Sequence, residues 1–397
     1  MTVSCVLVRG AQGYAPEPLG YVDVLAVGEW VVAIGRGLTP PPWAKAEVIE
    51  AGERILCPGL VDLHVHLAGG GGEGGPRFRT PELTLTDLTR HGITTAVGVL
   101  GTDGTTRSVA ELLAKARALA DEGITTWIYT GAYSAATRTI TGSLRDDVLL
   151  VDRVVGVGEI AVSDFRGSHP SERELARLAG EARVGGLLGG KAGVLHVHVG
   201  DGPAGLRPLF SMLEIADVPS DSVLPTHLNR RRALLEEAVR WAAHGGPLDL
   251  TTGITEEDGP EAVSAAAAAD WLRTQGVGLG QITLSSDAGG SAPRFSPSGE
   301  LEAVGVGSPA SLWDVVWTLR RQYRWPWEEA LTLATSNPAQ RLRLPRVGRI
   351  AVGHQADWLL VDPESGRIEW VVARGRVVVR AGSPVVWGTF EKRGAGG

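Results

Sequence analysis

The sequence predicts an α/β protein: a (β/α)8 TIM barrel with a small β-sandwich domain formed by both chain termini. Three observations predict it. Apolar, β-rich runs alternate with stretches of helical periodicity through the middle of the chain. The two ends lack that alternation and read as short strands and turns. Histidines and acids recur at the C-terminal ends of the middle strands, where barrels of this kind build their sites. At 397 residues the chain exceeds what one hydrophobic core usually serves. The expected division is therefore 1–58 with 346–397 for the sandwich, and 59–345 for the barrel.

Val3–Arg9 reads as a strand, and Tyr21–Val27 with Val31–Ile34 as a hairpin with Gly28 near its turn. Pro40-Pro41-Pro42 breaks the chain, and Val48–Glu50 and Ile55–Leu56 resume the strand pattern. The other end carries Val347–Ile350, Trp358–Val361, Ile368–Ala373 and Val377–Val379, so the termini are expected to pair. The middle strands are Leu60–Leu67, Thr94–Leu100, Thr125–Gly131, Val154–Ala161, Val194–Val199, Val223–Asn229, Leu248–Thr252 and Ile282–Asp287. Between them lie helical stretches such as Ser108–Glu122, Ser171–Leu188, Arg232–His244 and Pro260–Gln275, the last containing the Ala265–Ala269 run as helix interior. Thr80 with Pro81, and Ser171 with Glu172, are helix-start signals. A last helix, Ser311–Arg324, places Trp313, Val316 and Leu319 on one face, a core stripe. A doubly wound sheet would alternate in the same way, so closure into a barrel is an inference.

Composition narrows the function classes. Apolar residues make up 43%, enough for a sizeable core. The net charge of -7 is small and dispersed, which argues against nucleic-acid binding, and no like-charge run forms a tail. Cys5 and Cys57 each sit in apolar sequence and are expected as buried free thiols. The start, Met1-Thr-Val-Ser, has no basic segment leading into an apolar one, and no apolar run is long enough for a bilayer; a cytoplasmic location is expected.

The chemistry begins at Pro58-Gly-Leu-Val-Asp62-Leu-His64-Val-His66. Alternate residues of a strand share a side, so His64 and His66 project together near the mouth of the barrel, placed to bind one zinc ion. Alone, such a pair is weak and is more often core or surface histidine. Context strengthens it: His198, His227 and Asp287 end the fifth, sixth and eighth strands. His196 shares a face with His198 but lies deeper, and reads as a layer residue or a donor behind the ligands. His91, His169, His244 and His354 fall at helix ends or in loops and read as solvated. Two metals at close range need an anionic bridge. Glu159 ends the apolar fourth strand, where a carboxylate is costly unless paired or bound to metal. None of the four lysines, Lys45, Lys115, Lys191 and Lys392, ends a barrel strand.

These motifs resemble the amidohydrolase superfamily, and in particular the bacterial isoaspartyl dipeptidases, over nearly the whole chain. The narrower likeness rests on Gly69-Gly-Gly-Gly-Glu73-Gly-Gly-Pro, Gly101-Thr102-Asp103, Thr130-Gly-Ala-Tyr133, Ser163-Asp-x-Arg166, Arg183-Val-Gly-Gly-Leu-Leu-Gly-Gly-Lys191, Pro225-Thr-His227-x-Asn-Arg230 and Ser285-Ser-Asp287-x-x-Gly-Ser291. Many members bridge their metals with a carboxylated lysine; the matching position here is Glu159, which keeps two oxygens on a shorter arm. A second departure is Phe165, where a polar residue commonly precedes the arginine.

The resemblance implies two Zn2+ per chain, other divalent transition metals being compatible, held by His64, His66, Glu159, His198, His227 and Asp287. It implies hydrolysis of β-aspartyl dipeptides by a metal-bridging hydroxide, with Asp287 moving the proton and Tyr133 donating to the oxyanion. It gives the substrate's free α-amino group to Glu73 and its carboxylates to Arg166 and Arg230 by bidentate pairing, with Ser291 and Thr102 completing the grip. A homo-oligomer, an octamer by likeness, is implied as well; the partner is a small dipeptide, with no nucleic acid and no membrane. The alternatives are another amidohydrolase, acting on N-acyl amino acids or cyclic amides, and a metal-free scaffold of the same fold. The first would lack the Glu73 loop or the paired arginines, and the second would have lost ligands that are all present here.

Overall fold

The computed structural model describes residues 4–295 and 301–392. Its first segment is all strand: β1 (Ser4–Tyr14), β2 (Pro18–Val27), β3 (Trp30–Gly35), β4 (Lys45–Glu50) and β5 (Ile55–Pro58). Val3, the first residue of the predicted opening strand, lies outside the described residues. The β2–β3 hairpin turns at Gly28, whose φ of 60° suits glycine.

The strand–helix alternation follows: β6 (Leu60–Val65), α1 (Leu85–Thr89), β7 (Ile93–Gly98), α2 (Val109–Glu122), β8 (Thr125–Thr130), α3 (Leu144–Leu150), β9 (Val154–Val162), α4 (Glu172–Gly189), β10 (Val194–Val199), α5 (Arg207–Ile215), β11 (Val223–Thr226), α6 (Arg232–Ala243), β12 (Leu248–Thr251), α7 (Ala265–Thr274) and β13 (Ile282–Ser285). Every predicted barrel strand is present. The helices start where caps start them: Ser108 and Ser171 each accept from the third backbone N–H of the helix, and Glu111 and Glu174 reach back. Pro81 does not start a helix. Thr84 with Asp87 makes the capping box instead, so α1 begins at Leu85. The stretch predicted from Pro260 becomes helical only at Ala265.

Strands β6 to β11 form one parallel sheet, and β12 pairs β13 in parallel. Closure comes from bonds beyond the regular ladders. Leu228 N donates to Asp249 O (3.4 Å), joining the end of β11 to β12. Asp287 N donates to His64 O (3.1 Å) and His66 N to Ala288 O (2.8 Å), joining the end of β6 to the segment after β13. The barrel reading therefore stands against the doubly wound one. Apolar side chains of the strands and the surrounding helices share one large core, which includes Trp313, Val316 and Leu319.

Beyond the barrel come a hairpin, β14 (Ser291–Phe295) and β15 (Leu301–Val306), then α8 (Ala310–Arg321), α9 (Trp327–Thr332) and α10 (Ser336–Arg341). The chain ends in β16 (Trp358–Val361), β17 (Ile368–Ala373), β18 (Arg376–Arg380) and β19 (Ser383–Pro384). β16 pairs β5, so the two termini share a nine-stranded sheet. The sheet forks at the long β1, whose first half pairs β4 and whose second half meets β5. Both arms enclose one core of Val6, Val24, Leu56, Trp358 and Val372 with their neighbours. Val347–Ile350, predicted as a strand, is an irregular, bent segment: Val347 and Ile350 are apolar because they plug two cores, not because they pair. Cys5 and Cys57 are buried free thiols.

Candidate metal centre and substrate pocket

His66, His227 and Asp287 sit where strands give way to loops, while His64, Glu159 and His198 lie within β6, β9 and β10. β6 ends at Val65, one residue before His66; β11 ends at Thr226, one before His227; β13 ends at Ser285, two before Asp287. His227 (φ 64°) and Asp287 (φ 56°) adopt the left-handed conformation, which non-glycine residues rarely take unless the surroundings impose it. The strand pattern predicts these positions as strand ends; the fold instead turns the chain there and aims each side chain across the mouth.

The four histidines and Glu159 are all buried. Glu159 turns one oxygen to each histidine pair. Oε1 lies 3.4 Å from His64 Nε2 and 3.5 Å from His66 Nε2, while Oε2 lies 3.2 Å from His198 Nδ1 and 3.6 Å from His227 Nε2. Asp287 Oδ1 is 3.0 Å from His66 Nε2 and 3.4 Å from His64 Nε2. Three sets could each hold an ion: His64–His66–Glu159, Glu159–His198–His227 and His64–His227–Asp287, their candidate ligand atoms within 4.8 Å of one another.

Hydrogen bonds behind the histidines fix which nitrogen faces inward. His196 Nδ1 faces the Leu224 carbonyl (3.0 Å) and so carries its hydrogen there, which leaves Nε2 to accept from His64 Nδ1 (2.8 Å). His64 Nε2 is then the inward atom. His198 Nε2 donates to Asp164 (2.9 Å), leaving Nδ1 inward, and His227 Nδ1 meets Thr251 Oγ1 (2.7 Å), leaving Nε2 inward. His196 is thus the acceptor behind His64, held by stacking on Tyr129 with ring centroids 4.7 Å apart.

The electrostatics agree. Burial opposes charge on His64, but Glu159 and Asp287 overcome it and hold its pKa well above the ordinary value. Burial likewise opposes the Glu159 carboxylate, and His64, His198 and His227 hold it well below the usual range. Asp287 is held low by His64 and His66 in the same way. His64 Nε2 and Asp287 Oδ1 are buried without hydrogen-bond partners. A Cβ at Gly101 would lie 2.8 Å from His66 Cε1, and one at Gly290 would lie 2.4 Å from Asp287 Oδ1. The walls are kept bare where the donors converge. Orphaned inward atoms, soft nitrogen donors and a central carboxylate fit a divalent transition metal.

Beside this centre lies a cavity of about 650 Å³, lined among others by Arg166, Arg230, Asp287 and Ser291. The Gly-rich loop brings Glu73 to the same side. Its carboxylate accepts from Thr102 Oγ1 (3.0 Å) and Ser291 Oγ (3.0 Å) and lies 3.3 Å from Arg166 Nη1. Tyr133 Oη lies 2.9 Å from His198 Nδ1. The bidentate fork of Arg166 is not open: Nε (3.0 Å) and Nη2 (2.7 Å) both bind Asp164, which leaves Nη1. Arg230 is the more open cation: its Nε is buried without a partner and its Nη1 is 3.7 Å from Asp201. Phe165 lines the cavity, and the Arg166 guanidinium lies 5.6 Å from the Tyr133 ring and 5.9 Å from the Phe165 ring, so an aromatic residue there supports the cation.

The predicted metal ligands and pocket residues all gather at this mouth. The sequence assigns no role to Asp164 or Thr251. Asp164 stands in the Ser163-Asp-x-Arg166 motif, where its spacing to the arginine is the available signal; Thr251 offers none. Lys191 is at the far end, its Nζ donating to the carbonyls of Val148 (2.7 Å) and Val151 (2.6 Å).

A closed parallel barrel with four histidines and two acids at its mouth defines the class of metal-dependent amidohydrolases, and comparison with known proteins agrees. The amidohydrolase family model matches residues 224–378. The crystal structure of a β-aspartyl dipeptidase from Fervidobacterium islandicum, in complex with β-Asp-Leu, is 39% identical. It has a TM-score of 0.88, with 96% of this chain and 98% of that one covered. The chain belongs to the amidohydrolase family, on the branch of the β-aspartyl dipeptidases. A D-hydantoinase structure, 19% identical with a TM-score of 0.70 over 99% of this chain and 98% of that one, shares the fold. Among curated relatives, a dihydroorotase of Mycobacterium leprae is 47% identical over 62 residues, only 16% of this chain and 14% of that protein. An imidazolonepropionase of Caulobacter vibrioides is 33% identical over 174 residues, 41% of this chain and 40% of that protein.

Proposed function

We propose that the protein hydrolyses β-aspartyl dipeptides at a centre where His64, His66, Glu159, His198, His227 and Asp287 would hold two zinc ions, with Glu159, one oxygen toward each histidine pair, serving both. The observation that carries the reading is the charge set beside the centre: Glu73, fixed by Thr102 and Ser291, stands 3.3 Å from Arg166, with Arg230 lining the same cavity. A β-aspartyl dipeptide offers one ammonium and two carboxylates, which this set of one acid and two cations matches; a hydantoin or dihydropyrimidine ring needs no such set.

When bound, the metals supply a water of lowered pKa and polarise the scissile carbonyl. The chain's own residues do the rest. Glu73 receives the α-amino group, and Arg166 and Arg230 receive the carboxylates, Arg166 through Nη1 alone. These contacts fix the β-carbonyl against the centre and convert an encounter into an oriented attack. Tyr133 donates its hydroxyl hydrogen toward the carbonyl oxygen as negative charge develops there. The Asp287 carboxylate takes the proton from the attacking water and passes it to the leaving nitrogen.

The same reading divides the chain into a barrel of residues 59–345 and a sandwich of 1–58 with 346–397. It keeps the homo-oligomer that the family likeness suggests and the cytoplasmic location expected from the sequence. Among the described residues no helix is long and apolar enough to cross a membrane.

The deciding experiment compares turnover of β-Asp-Leu and α-Asp-Leu by protein whose zinc content is measured on the same sample. Hydrolysis of the β-linked peptide alone, with close to two zinc ions per chain and loss of activity on chelation, is expected. Full activity in metal-free protein, or equal turnover of the α-linked peptide, overturns the reading.

A further inference from the structure

Asp164 is a buried carboxylate with no place in the chemistry above, yet it touches both halves of the site. Oδ2 accepts from His198 Nε2 (2.9 Å) and from Arg166 Nη2 (2.7 Å). Oδ1 accepts from Arg166 Nε (3.0 Å) and from the Arg166 backbone N–H (2.8 Å). Its position is tightly set. Ser163 before it has φ 53° and its carbonyl accepts from Gly202 N (2.6 Å), and a Cβ at Gly200 would lie 2.4 Å from Asp164 Cβ. A solvated surface pair would need no such fit.

We infer that Asp164 is a positioning residue that ties a metal ligand and a substrate-binding cation to one carboxylate. The reason is geometric. A carboxylate can only accept, so His198 must carry its hydrogen on Nε2 and present a bare Nδ1 to the centre. The same group fixes the plane of the Arg166 guanidinium by a two-point contact, which leaves Nη1 facing Glu73. Displacement of the carboxylate toward either partner costs the other a hydrogen bond. Ion binding at His198 and ligand binding at Arg166 therefore share one hinge point, and occupation of one steadies the other. The substrate half of this inference rests on the proposed function; the His198 half does not.

The test uses Asp164→Asn, nearly isosteric but neutral. Its amide has one acceptor oxygen and no charge, so its NH2 must face either His198 with Arg166 Nη2 or Arg166 Nε with the Arg166 backbone N–H, and the four-contact arrangement is lost. The first readout is zinc alone: apo-protein titrated with zinc against a chromophoric chelator, with no substrate present. One of the two ions is expected to bind about 10- to 100-fold more weakly while the other is unchanged. The second readout is KM for β-Asp-Leu, expected to rise about 10-fold with a smaller change in kcat. In an Arg166→Ala background, Asp164→Asn should still weaken zinc but should add little to KM, because the cation it oriented is gone. Unchanged zinc affinity in a variant that unfolds cooperatively, or KM effects that simply add, overturns the inference. If Asp164→Asn does not fold, Asp164→Glu decides. It keeps the charge but displaces it by a methylene, so both readouts should move the same way by smaller factors, and wild-type values in both refute the proposal. If wild-type protein leaves β-Asp-Leu uncut, the proposed function fails, while the zinc titration still decides the role toward His198.

Discussion

Glu159 in the barrel and Asp357 at the base of the terminal sheet are both buried carboxyl groups, yet their surroundings drive them in opposite directions. Asp357 accepts from the Arg374 backbone N–H (2.7 Å) and from Gln355 Nε2 (3.1 Å). Burial prevails over these contacts, and its pKa is pushed up to about 7. Glu159 is no less buried, but its neighbours are four histidine rings, and its pKa is held well below the ordinary value. Burial by itself does not mark a reactive site. What marks it is the kind of partner: neutral donors leave a buried carboxyl group protonated and part of the scaffold, whereas convergent imidazoles, with His64 held in its charged form, keep it anionic at a place where a cation can take over the same compensation.

The sharpest way to break this contrast is to neutralise the reactive member. Glu159→Gln keeps the shape but would leave the two cations of the proposed centre without compensating charge. At least one zinc is expected to be lost, with a fall in kcat/KM of roughly 10⁴-fold or more, because activation of water by the metals is lost with it. Because glutamate, unlike a carboxylated lysine, needs no carbon dioxide, zinc returned to chelated wild-type protein should restore activity equally with and without bicarbonate. Glu159→Lys should respond to bicarbonate if the longer arm fits. Bicarbonate dependence of the wild type would remove Glu159 from the bridge.

A smaller effect is expected at the pocket acid. Glu73→Gln should lower kcat/KM for β-Asp-Leu by about 10³-fold, the order expected for breaking a buried charge pair, and should matter far less for a substrate without the free α-amino group. Equal losses on both substrates would make Glu73 a structural acid after all. Smaller again is Tyr133→Phe, which removes one donor to the oxyanion and should cost about 10² in kcat with little change in KM. A change confined to KM would assign Tyr133 to binding.

The scaffold member of the pair gives the smallest effect, and it appears in stability alone. The folded pKa of Asp357 lies above its unfolded value, so the folded state holds the proton more tightly. Its contribution to stability is full at acid pH and is lost as pH rises from about 4 through about 7. Asp357→Asn lacks this titration. Measured with zinc saturating both proteins, the unfolding free energy of the variant relative to the parent should shift in the variant's favour by about 1–3 kcal/mol between pH 5 and pH 8. A difference independent of pH would mean that Asp357 is ionised in the folded protein.

The sequence by itself determined the strand–helix alternation, because hydrophobic period is local and survives any arrangement of the elements. It also pointed to the chemistry proposed for the site. Histidine is scarce in this chain, with nine in all, and its recurrence on the first, fifth and sixth barrel strands points to metal ligation rather than to scattered core or surface positions. Where it misled, the cause was equally local. Val347–Ile350 has the composition of a strand but plugs a core, and Pro81 has the look of a helix start although Thr84 and Asp87 make the cap. Only the tertiary structure decided which nitrogen of His64, His198 and His227 faces inward. That depends on His196, Asp164 and Thr251, which lie on other segments and meet the ligands only when the barrel closes. It likewise decided that the fork of Arg166 belongs to Asp164 and that the more open cation is Arg230. Partnerships of this kind are distances between segments, and no local pattern in the chain encodes them.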